Sequence, residues 1–404
     1  MTLEIRPIKP EELEEFRRID RMVFAAGPDM SVNMPSDWTL CAFEDGKMTT
    51  SYGFYPLTIL LNGAEVPISG VTMVGTLPVY RRRGYLRKIT TRHFEMLYEQ
   101  GERHIAALFA SGTAIYQRYG YGVVSGSNAY TIEPRDVQLL HTPPLAGEFR
   151  EAGEAENDLL LDIYHQYAAG KNGYLLRKGD YLTISGAPYT TYQPPELAEK
   201  LVKVVYYEDD KPLGYLAYTV TRDMRPGKRM GQALSINDMA WLAPSAYHAI
   251  WTYLSRFDLV NQISFWRAPP DDPLPHSLLE PKRLEVTVPS NGLLARLINV
   301  GKALPLRPYA AEGRLTFDIV DDLCQWNRGT WQLEASGTGS AVSRANGNPQ
   351  VTMPVSTLAM LIFGRITATQ AARMGRMDVH DATALPLWDS VMKTDYAPFC
   401  ADMF

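Results

Sequence analysis

The 404-residue chain is expected to fold as α+β units in which helices pack on a central sheet, with one such unit repeated and a third following it. Three observations predict this. The first is the order of patterns over residues 11–132: helix, hairpin, strand, turn, helix, strand, short helix, strand. That order lays helices against one mainly antiparallel sheet. The second is an internal echo, in which Val204 to Lys211 (VVYYEDDK) repeats Leu40 to Lys47 (LCAFEDGK), and an extended aromatic run follows in each case. The third is a change of texture near Val286, where Gly/Ser/Asn-rich connections and short apolar helices replace the earlier pattern. A chain of this length also exceeds what one ordinary core supports.

In the first unit, Glu11 to Phe24 places Leu13, Phe16, Ile19, Met22 and Val23 at helical spacing. Thr39 to Phe43 and Tyr52 to Leu61 read as strands, and Asp45-Gly46 between them carries the signal of a tight hairpin. Val66 to Leu77 reads as a third strand, Leu86 to Gln100 as a helix, Ala106 to Phe109 as a buried strand, Ser111 to Tyr119 as a short helix and Gly122 to Ile132 as a closing strand. In the echo, strand Leu234 to Leu242 leads through Ala243–His248 into helix Ala249 to Phe257. That turn lacks arginine and glycine, so the second copy is degenerate. Beyond it, Gly292 to Val300 reads as helical, Gly313 to Val320 and Thr330 to Ala335 as strands, and Ser336 to Asn348 as a turn. Pro354 to Phe363, Thr367 to Met374 and Pro386 to Met392 follow as helices, before an aromatic tail from Tyr396 to Phe404. The expected divisions are residues 1–145, 146–287 and 288–404.

Hydrophobic residues make up 46% and charged residues 21%, as in an ordinary folded protein. A formal net charge of -5 argues against a nucleic-acid partner, which normally meets a basic face. Cys41, Cys324 and Cys400 show neither disulfide-framework nor metal spacing, and His276 stands without a second ligand, so no metal is expected. The N-terminus has no apolar stretch of the signal-peptide kind, and no segment is long and apolar enough to span a bilayer. A cytoplasmic protein is expected.

The sequence with most chemistry in it is Thr76-Leu77-Pro78-Val79-Tyr80-Arg81-Arg82-Arg83-Gly84-Tyr85-Leu86-Arg87, a basic turn between a strand and a helix. A turn entering a helix exposes backbone N–H groups that, with the helix dipole, hold phosphate or pyrophosphate. Gly84 lets the backbone come close to such a ligand, and Arg81 or Arg82 adds charge-assisted hydrogen bonds.

This turn resembles motif A of the GNAT N-acetyltransferases, with Leu86 where Gly or Ala is usual. Pro78 to Arg87 is similar throughout to the Pro-x-x-Arg-Arg-Arg-Gly-x-Leu-Arg turn of one branch, the enhanced-intracellular-survival (Eis) acetyltransferases. Ala110 to Gly122 (ASGTAIYQRYGYG) resembles a second motif of that branch, and Asp272 to His276 and Asn291 to Val300 resemble its later segments. The resemblance implies tandem GNAT-like domains, the second degenerate, followed by a sterol-carrier-protein-like domain. It implies acetyl-CoA as co-substrate, held by Val74, Thr76, Arg81, Arg82, Gly84, Tyr85 and Ser111. The implied acceptors are primary amines of aminoglycosides, other polyamines or protein lysines, and the implied assembly is a homo-hexamer.

Acyl transfer to an amine needs an acid for the departing thiolate and a base for the amine proton. The resemblance gives the acid role to Tyr116. For the base, Ile68 to Leu77 (ISGVTMVGTL) contains no carboxylate, whereas the Eis branch uses its own C-terminal carboxylate, and this chain also ends in phenylalanine, Phe404. Asp29 and Asp37, in the loop before the first hairpin, are candidates for the amine cleft together with Phe109. So is Asp402, because Met403 stands where that branch has an acid next to the terminal residue. The competing reading is a CoA- or lipid-binding regulatory module without turnover.

Overall fold

The computed structural model describes residues 2–25, 34–141, 145–177, 201–223, 231–288, 292–336 and 339–404. Among them three sheets form, of seven, seven and five strands. The first runs Leu3–Arg6, Cys41–Glu44, Lys47–Leu61, Ala64–Thr76, Ile105–Phe109, Leu293–Leu297 and Gly122–Val123 in spatial order. Its opening strands are antiparallel, and Ala64–Thr76 then pairs in parallel with Ile105–Phe109. The expected hairpin turn is present, with Asp45 and Gly46 both at positive φ (49° and 80°), the geometry whose twist matches that of the flanking strands.

Helix Leu13–Phe24 buries Phe16 and Ile19 on one face of this sheet. Helix Tyr85–Gln100 covers the opposite face with Ile89, Phe94 and Leu97. His93 on that helix is fully buried, with Nδ1 2.8 Å from the Tyr52 hydroxyl, Nε2 3.2 Å from the Ser69 hydroxyl, and its ring stacked on Phe54. Burial makes the charged imidazolium costly and pushes its pKa down to about 3.

The second sheet repeats the plan. Its order is Glu285–Thr287, Asn128–Ile132, Val260–Ala268, Gly231–Trp241, Lys211–Asp223, Leu201–Glu208 and Glu148–Glu151. The hairpin at Asp209-Asp210, also at positive φ, matches the first one, and helix Pro244–Leu254 leads into a strand parallel to Gly231–Trp241. The echo in sequence is thus an echo in topology.

Two elements differ from the sequence reading. The stretch Gly122 to Ile132 is not one closing strand: Gly122–Val123 stays in the first sheet, while Asn128–Ile132 crosses to the second and pairs with Val260–Ala268 and Glu285–Thr287. In return Leu293–Leu297, read as helical, enters the first sheet between Ile105–Phe109 and Gly122–Val123. All five of its residues are buried, so the alternation that marks a half-exposed strand is missing, and a short apolar run is ambiguous by period alone.

The third sheet has the order Gly339–Arg344, Gly329–Ser336, Gly313–Val320, Val351–Pro354 and Asp378–Val379. Its edge strand Gly339–Arg344 lies inside the stretch read as a turn; small polar residues suit an exposed edge and hid its extended character. Helix Val355–Ile362 is buried except at Ser356 because it packs between this unit and Leu293–Leu297. Among the described residues no helix is long and apolar enough to cross a membrane, and all three cysteines are free and buried.

The tail then threads between the units. Ala397 N–H donates to Asp271 Oδ2 (2.8 Å), the Pro398 carbonyl accepts from Gly126 N–H (3.3 Å), and Phe399 N–H donates to the Asn172 carbonyl (3.0 Å). Lys171 caps this stretch, its ammonium 3.0 Å from the ring centre of Tyr167 and 5.2 Å from that of Tyr396. At the end, buried Arg177 donates from Nε to Asp402 (3.1 Å) and from Nη1 to Asp238, while the Tyr215 hydroxyl donates to Asp238 (2.6 Å).

Among the described residues Arg177 is a buried cation between two buried carboxylates, and its removal takes a charge partner from each. We expect Arg177→Met to lower unfolding free energy by about 3–5 kcal/mol in urea denaturation, and Asp402→Asn to cost less because an amide still accepts from Arg177. For His93 the folded pKa lies below the unfolded one of about 6.5, so its contribution is complete above pH ~6.5 and is lost as pH falls toward 3. The stability difference between wild type and His93→Gln should therefore shrink by about 2 kcal/mol from pH 7.5 to pH 5.0, whereas a difference independent of pH would refute the assignment.

Candidate active site

The site opens where two parallel strands part. Ala64–Thr76 and Ile105–Phe109 pair only from Ser69↔Ala106 to Val71↔Leu108, although the first continues to Thr76. The cause lies in the neighbouring hairpin. Its register slips between Ser51 and Gly53, so Met73 and Val74 stand opposite the single residue Tyr52, and Met73 takes φ +50°. The Ser51 hydroxyl donates to the Met73 carbonyl (2.9 Å), which satisfies an acceptor the bulge displaces. A bulge bends its strand, and here it opens a V-shaped gap toward the basic turn.

The turn itself is a short 3-10 segment, Pro78–Tyr80, followed by Arg82 and Gly84 at positive φ (65° and 79°) and then helix Tyr85–Gln100. The first bond of that helix runs from Lys88 N–H to the Gly84 carbonyl (3.2 Å), so the amides of Tyr85, Leu86 and Arg87 stand at its open N-terminus. A Cβ added at Gly84 would meet nothing within 4 Å; it is the left-handed backbone that selects glycine there, and the space outside it is clear. Arg81, Arg82, Arg87 and Lys88 are exposed around that space.

The arginines are not equivalent. Arg83 turns back and donates to Glu44 Oε2 (3.1 Å), where the Tyr85 hydroxyl also donates (2.8 Å); Glu44 is only 6% exposed. Burial and the Glu44 charge raise the Tyr85 hydroxyl pKa. Arg81 Nε donates to the Thr76 carbonyl (3.1 Å) and pins the turn to the strand end. The Thr76 hydroxyl lies 3.1 Å from that of Thr50, and half-buried Val74 packs against the cluster that includes Val71, Tyr85 and Ile89. A pyrophosphate fits this arrangement, since it offers open amides, exposed guanidinium groups and unobstructed space.

On the other arm of the V, Ser111 is exposed just beyond Ile105–Phe109, and helix Thr113–Gln117 carries Tyr116. The Tyr116 ring meets Tyr121 edge-on (6.0 Å), and burial raises its hydroxyl above the ordinary tyrosine value. Phe404 comes from the opposite face. It is 8% exposed, edge-on to Phe109 (5.6 Å), and lies against Gly70, where an added Cβ would be 2.9 Å from its ring and 2.6 Å from Leu57. Arg267 stacks on Phe109 (4.8 Å) and donates to the Cys400 carbonyl, which fixes the approach of the tail.

The structure thus brings Val74, Thr76, Arg81, Arg82, Gly84 and Tyr85 to one arm and Ser111 and Tyr116 to the other, with Phe109 and Phe404 beside the last paired residues, Gly70 and Val71, where the gap begins. Asp402 is placed differently from the expectation of an open amine-binding carboxylate: it is 4% exposed and its charge is taken up by Arg177. Asp37 is exposed in the Ser36–Trp38 turn, and Asp29 lies outside the described residues. Sequence reasoning missed Glu44, Arg177 and Asp238. A signal did exist for the last, because a carboxylate amid the buried strand SINDMAW requires a buried partner. Among the described residues no group of three or more His, Cys, Asp or Glu could hold a metal ion.

With this geometry in hand, comparison with known proteins is direct. Residues 4–124 match the family "Acetyltransferase (GNAT) domain", residues 188–297 match a second family of that description, and residues 300–401 match "Sterol carrier protein domain". The chain is 25% identical to an uncharacterized N-acetyltransferase of Streptomyces avermitilis over 425 aligned positions, covering 100% of this chain and 99% of that one. It is 25% identical to N-acetyltransferase Eis of Mycobacterium tuberculosis over 350, covering 82% and 79%. Among solved structures, Eis1 from Mycobacterium abscessus superposes with a TM-score of 0.83 at 25% identity, and a GCN5-related N-acetyltransferase from Anabaena variabilis with 0.88 at 21%, each covering 100% of both chains. Fold and site define an acyltransferase with tandem GNAT domains and a sterol-carrier-protein-like third domain. Within that class the chain is similar to the N-acetyltransferases named Eis.

Because Arg83 is engaged by Glu44 and Arg82 is not held in that way, the two should differ in cofactor binding. By calorimetry, Arg82→Gln is expected to raise the Kd for CoA about ten-fold and Arg83→Gln less than about three-fold. Equal effects would contradict the division of labour.

Proposed function

We propose that the protein transfers the acetyl group of acetyl-CoA to a primary amine of a polycationic small molecule or a lysine, with Tyr116 as general acid and the α-carboxylate of Phe404 as general base. The observation that carries this reading is the seating of the last residue against Gly70 and Phe109, where the gap between the parted strands begins. A frayed terminus is the usual fate of a chain end, and this one is buried. The relatives named N-acetyltransferase Eis support the same chemistry.

Acetyl-CoA supplies an activated acyl group as its thioester. The open amides after Gly84 and the exposed Arg81 and Arg82 hold its pyrophosphate, and the bulge at Met73 directs the rest of the cofactor into the V. The Phe404 carboxylate, in its ionised form, takes the proton from the attacking amine nitrogen. The Tyr116 hydroxyl gives its proton to the departing sulfur, and its raised pKa keeps it protonated before the step. Tyr116 packs with the cluster on the helix-covered side and Phe404 with the cluster on the other, so acid and base reach the gap from two faces. Amine recognition falls to Asp37 and to the apolar wall of Phe109.

Thiol release from acetyl-CoA should exceed background with at least one of an aminoglycoside, a polyamine and a lysine peptide; no release with any of them would end the proposal. Tyr116→Phe should lower kcat about 10²-fold or more while CoA binding persists. Appending one glycine after Phe404 keeps the aromatic ring but moves the carboxylate by about 3.5 Å, and should lower kcat comparably. Unchanged turnover in the extended chain would remove the terminal carboxylate from the mechanism.

A further inference from the structure

The short helix carrying Tyr116 spans only Thr113–Gln117, so its orientation depends on how its end is closed. Tyr121 N–H donates to the Tyr116 carbonyl (3.3 Å) and Gly120 N–H to the Gln117 carbonyl (3.1 Å), with Gly120 at φ +81°. This nested pair around a left-handed glycine is a Schellman closure, and the contact of Tyr121 with Tyr116 is the apolar pairing that accompanies it. The carbonyl of Tyr119 faces away from the helix, and Arg296 Nη1 donates to it. A Cβ at Gly120 would collide with that same Nη1, so the turn is built around the guanidinium.

Arg296 comes from the strand that enters the first sheet late, Leu293–Leu297, and is 1% exposed. Its Nη2 donates to both carboxylate oxygens of Asp321 (2.8 and 2.7 Å), and its guanidinium lies 4.5 Å from the ring centre of Phe94. Asp321 is 0% exposed at side-chain level and belongs to the third unit. It is itself fixed by the amides of Leu323 (3.1 Å) and Cys324 (3.0 Å) and by Asn327 Nδ2 (3.0 Å). A planar guanidinium whose Nη2 is held by both oxygens of a buried carboxylate and whose face lies on Phe94 has little freedom left, so its Nη1 sets the position of the Tyr119 carbonyl.

We propose that Arg296, locked by Asp321, is a positioning residue for Tyr116: the third unit reaches through this buried pair to set the orientation of the proposed acid. The inference rests on the acid role given to Tyr116 above. It gives the sterol-carrier-protein-like domain a part in acyl transfer that needs no lipid ligand.

Asp321→Asn keeps shape and one acceptor but loses the charge and the second acceptor oxygen facing Nη2, and is the variant of choice because Arg296→Met risks unfolding by leaving the Asp321 charge buried without its cation. Two readouts are expected to move. The first is kcat for acetyl transfer, falling about ten-fold or more with the Kd for CoA changed less than about three-fold. The second is amide hydrogen exchange at Gly120 and Tyr121, accelerating about ten-fold while Val71 and Leu108 in the sheet keep wild-type protection. Wild-type exchange at Gly120 and Tyr121 would overturn the proposal, as would a kcat loss matched by equal loss of CoA binding. Tyr116→Phe in parallel separates the two levels: if it retains full kcat, the acid assignment fails, whereas locally faster exchange in Asp321→Asn would still uphold the positioning of the turn.

Discussion

One guanidinium holds the chain end where the chemistry is proposed. Arg177 is buried between Asp238 of the second sheet and Asp402 of the tail, and its charge offsets the cost of burying both carboxylates. The Tyr215 hydroxyl donates to Asp238 (2.6 Å), and the Tyr164 hydroxyl, which donates to the Leu175 carbonyl (2.8 Å), lies 3.3 Å from Asp402. Because Asp402 is fixed there, Phe404 has two residues of chain, about 7 Å, in which to reach Gly70. The second unit lacks the arginine-glycine turn of the first, yet its strand residue Asp238 is what locates the terminus.

The exchange of strands between the first two sheets follows the same logic. Asn128–Ile132 leaves the first unit and Leu293–Leu297 returns to it, so neither sheet is complete without chain from beyond the other. The returning strand does more than fill a gap. It carries Arg296 to the Tyr119 carbonyl and presents Leu293, Ala295 and Leu297 to the apolar helix Val355–Ile362. The proposed acid and the proposed base are therefore both held from outside the first unit, one through Arg296 and Asp321 and the other through Arg177.

What could be read in the sequence was local. The basic turn announces itself because glycine, arginines and a strand-to-helix switch fall within ten residues, and the Asp45-Gly46 hairpin does so for a similar reason. The echo of that hairpin at Asp209-Asp210 was enough to reveal a repeated plan. What could not be read depends on partners far along the chain. Leu293–Leu297 has no alternation because both its faces are covered, and Arg296 within it looks like a solvated charge until Asp321 is found beside it. The burial of Asp402 is hidden for the same reason: its partner Arg177 lies 225 positions away.

Gly70 connects these points to the missing strand base. The stretch Ile68 to Leu77 holds no carboxylate, and at Gly70 the structure leaves room for none, since even a Cβ would press on Leu57 and on the Phe404 ring. A side chain on that strand position and an aromatic terminus lying against it exclude each other sterically. Under the proposed mechanism, giving up the side chain at Gly70 is what admits the tail, and the tail then returns a carboxylate to the place the strand can no longer supply. On that proposal the third unit, whose last residues provide it, is part of the acyltransferase site rather than an appendage to it.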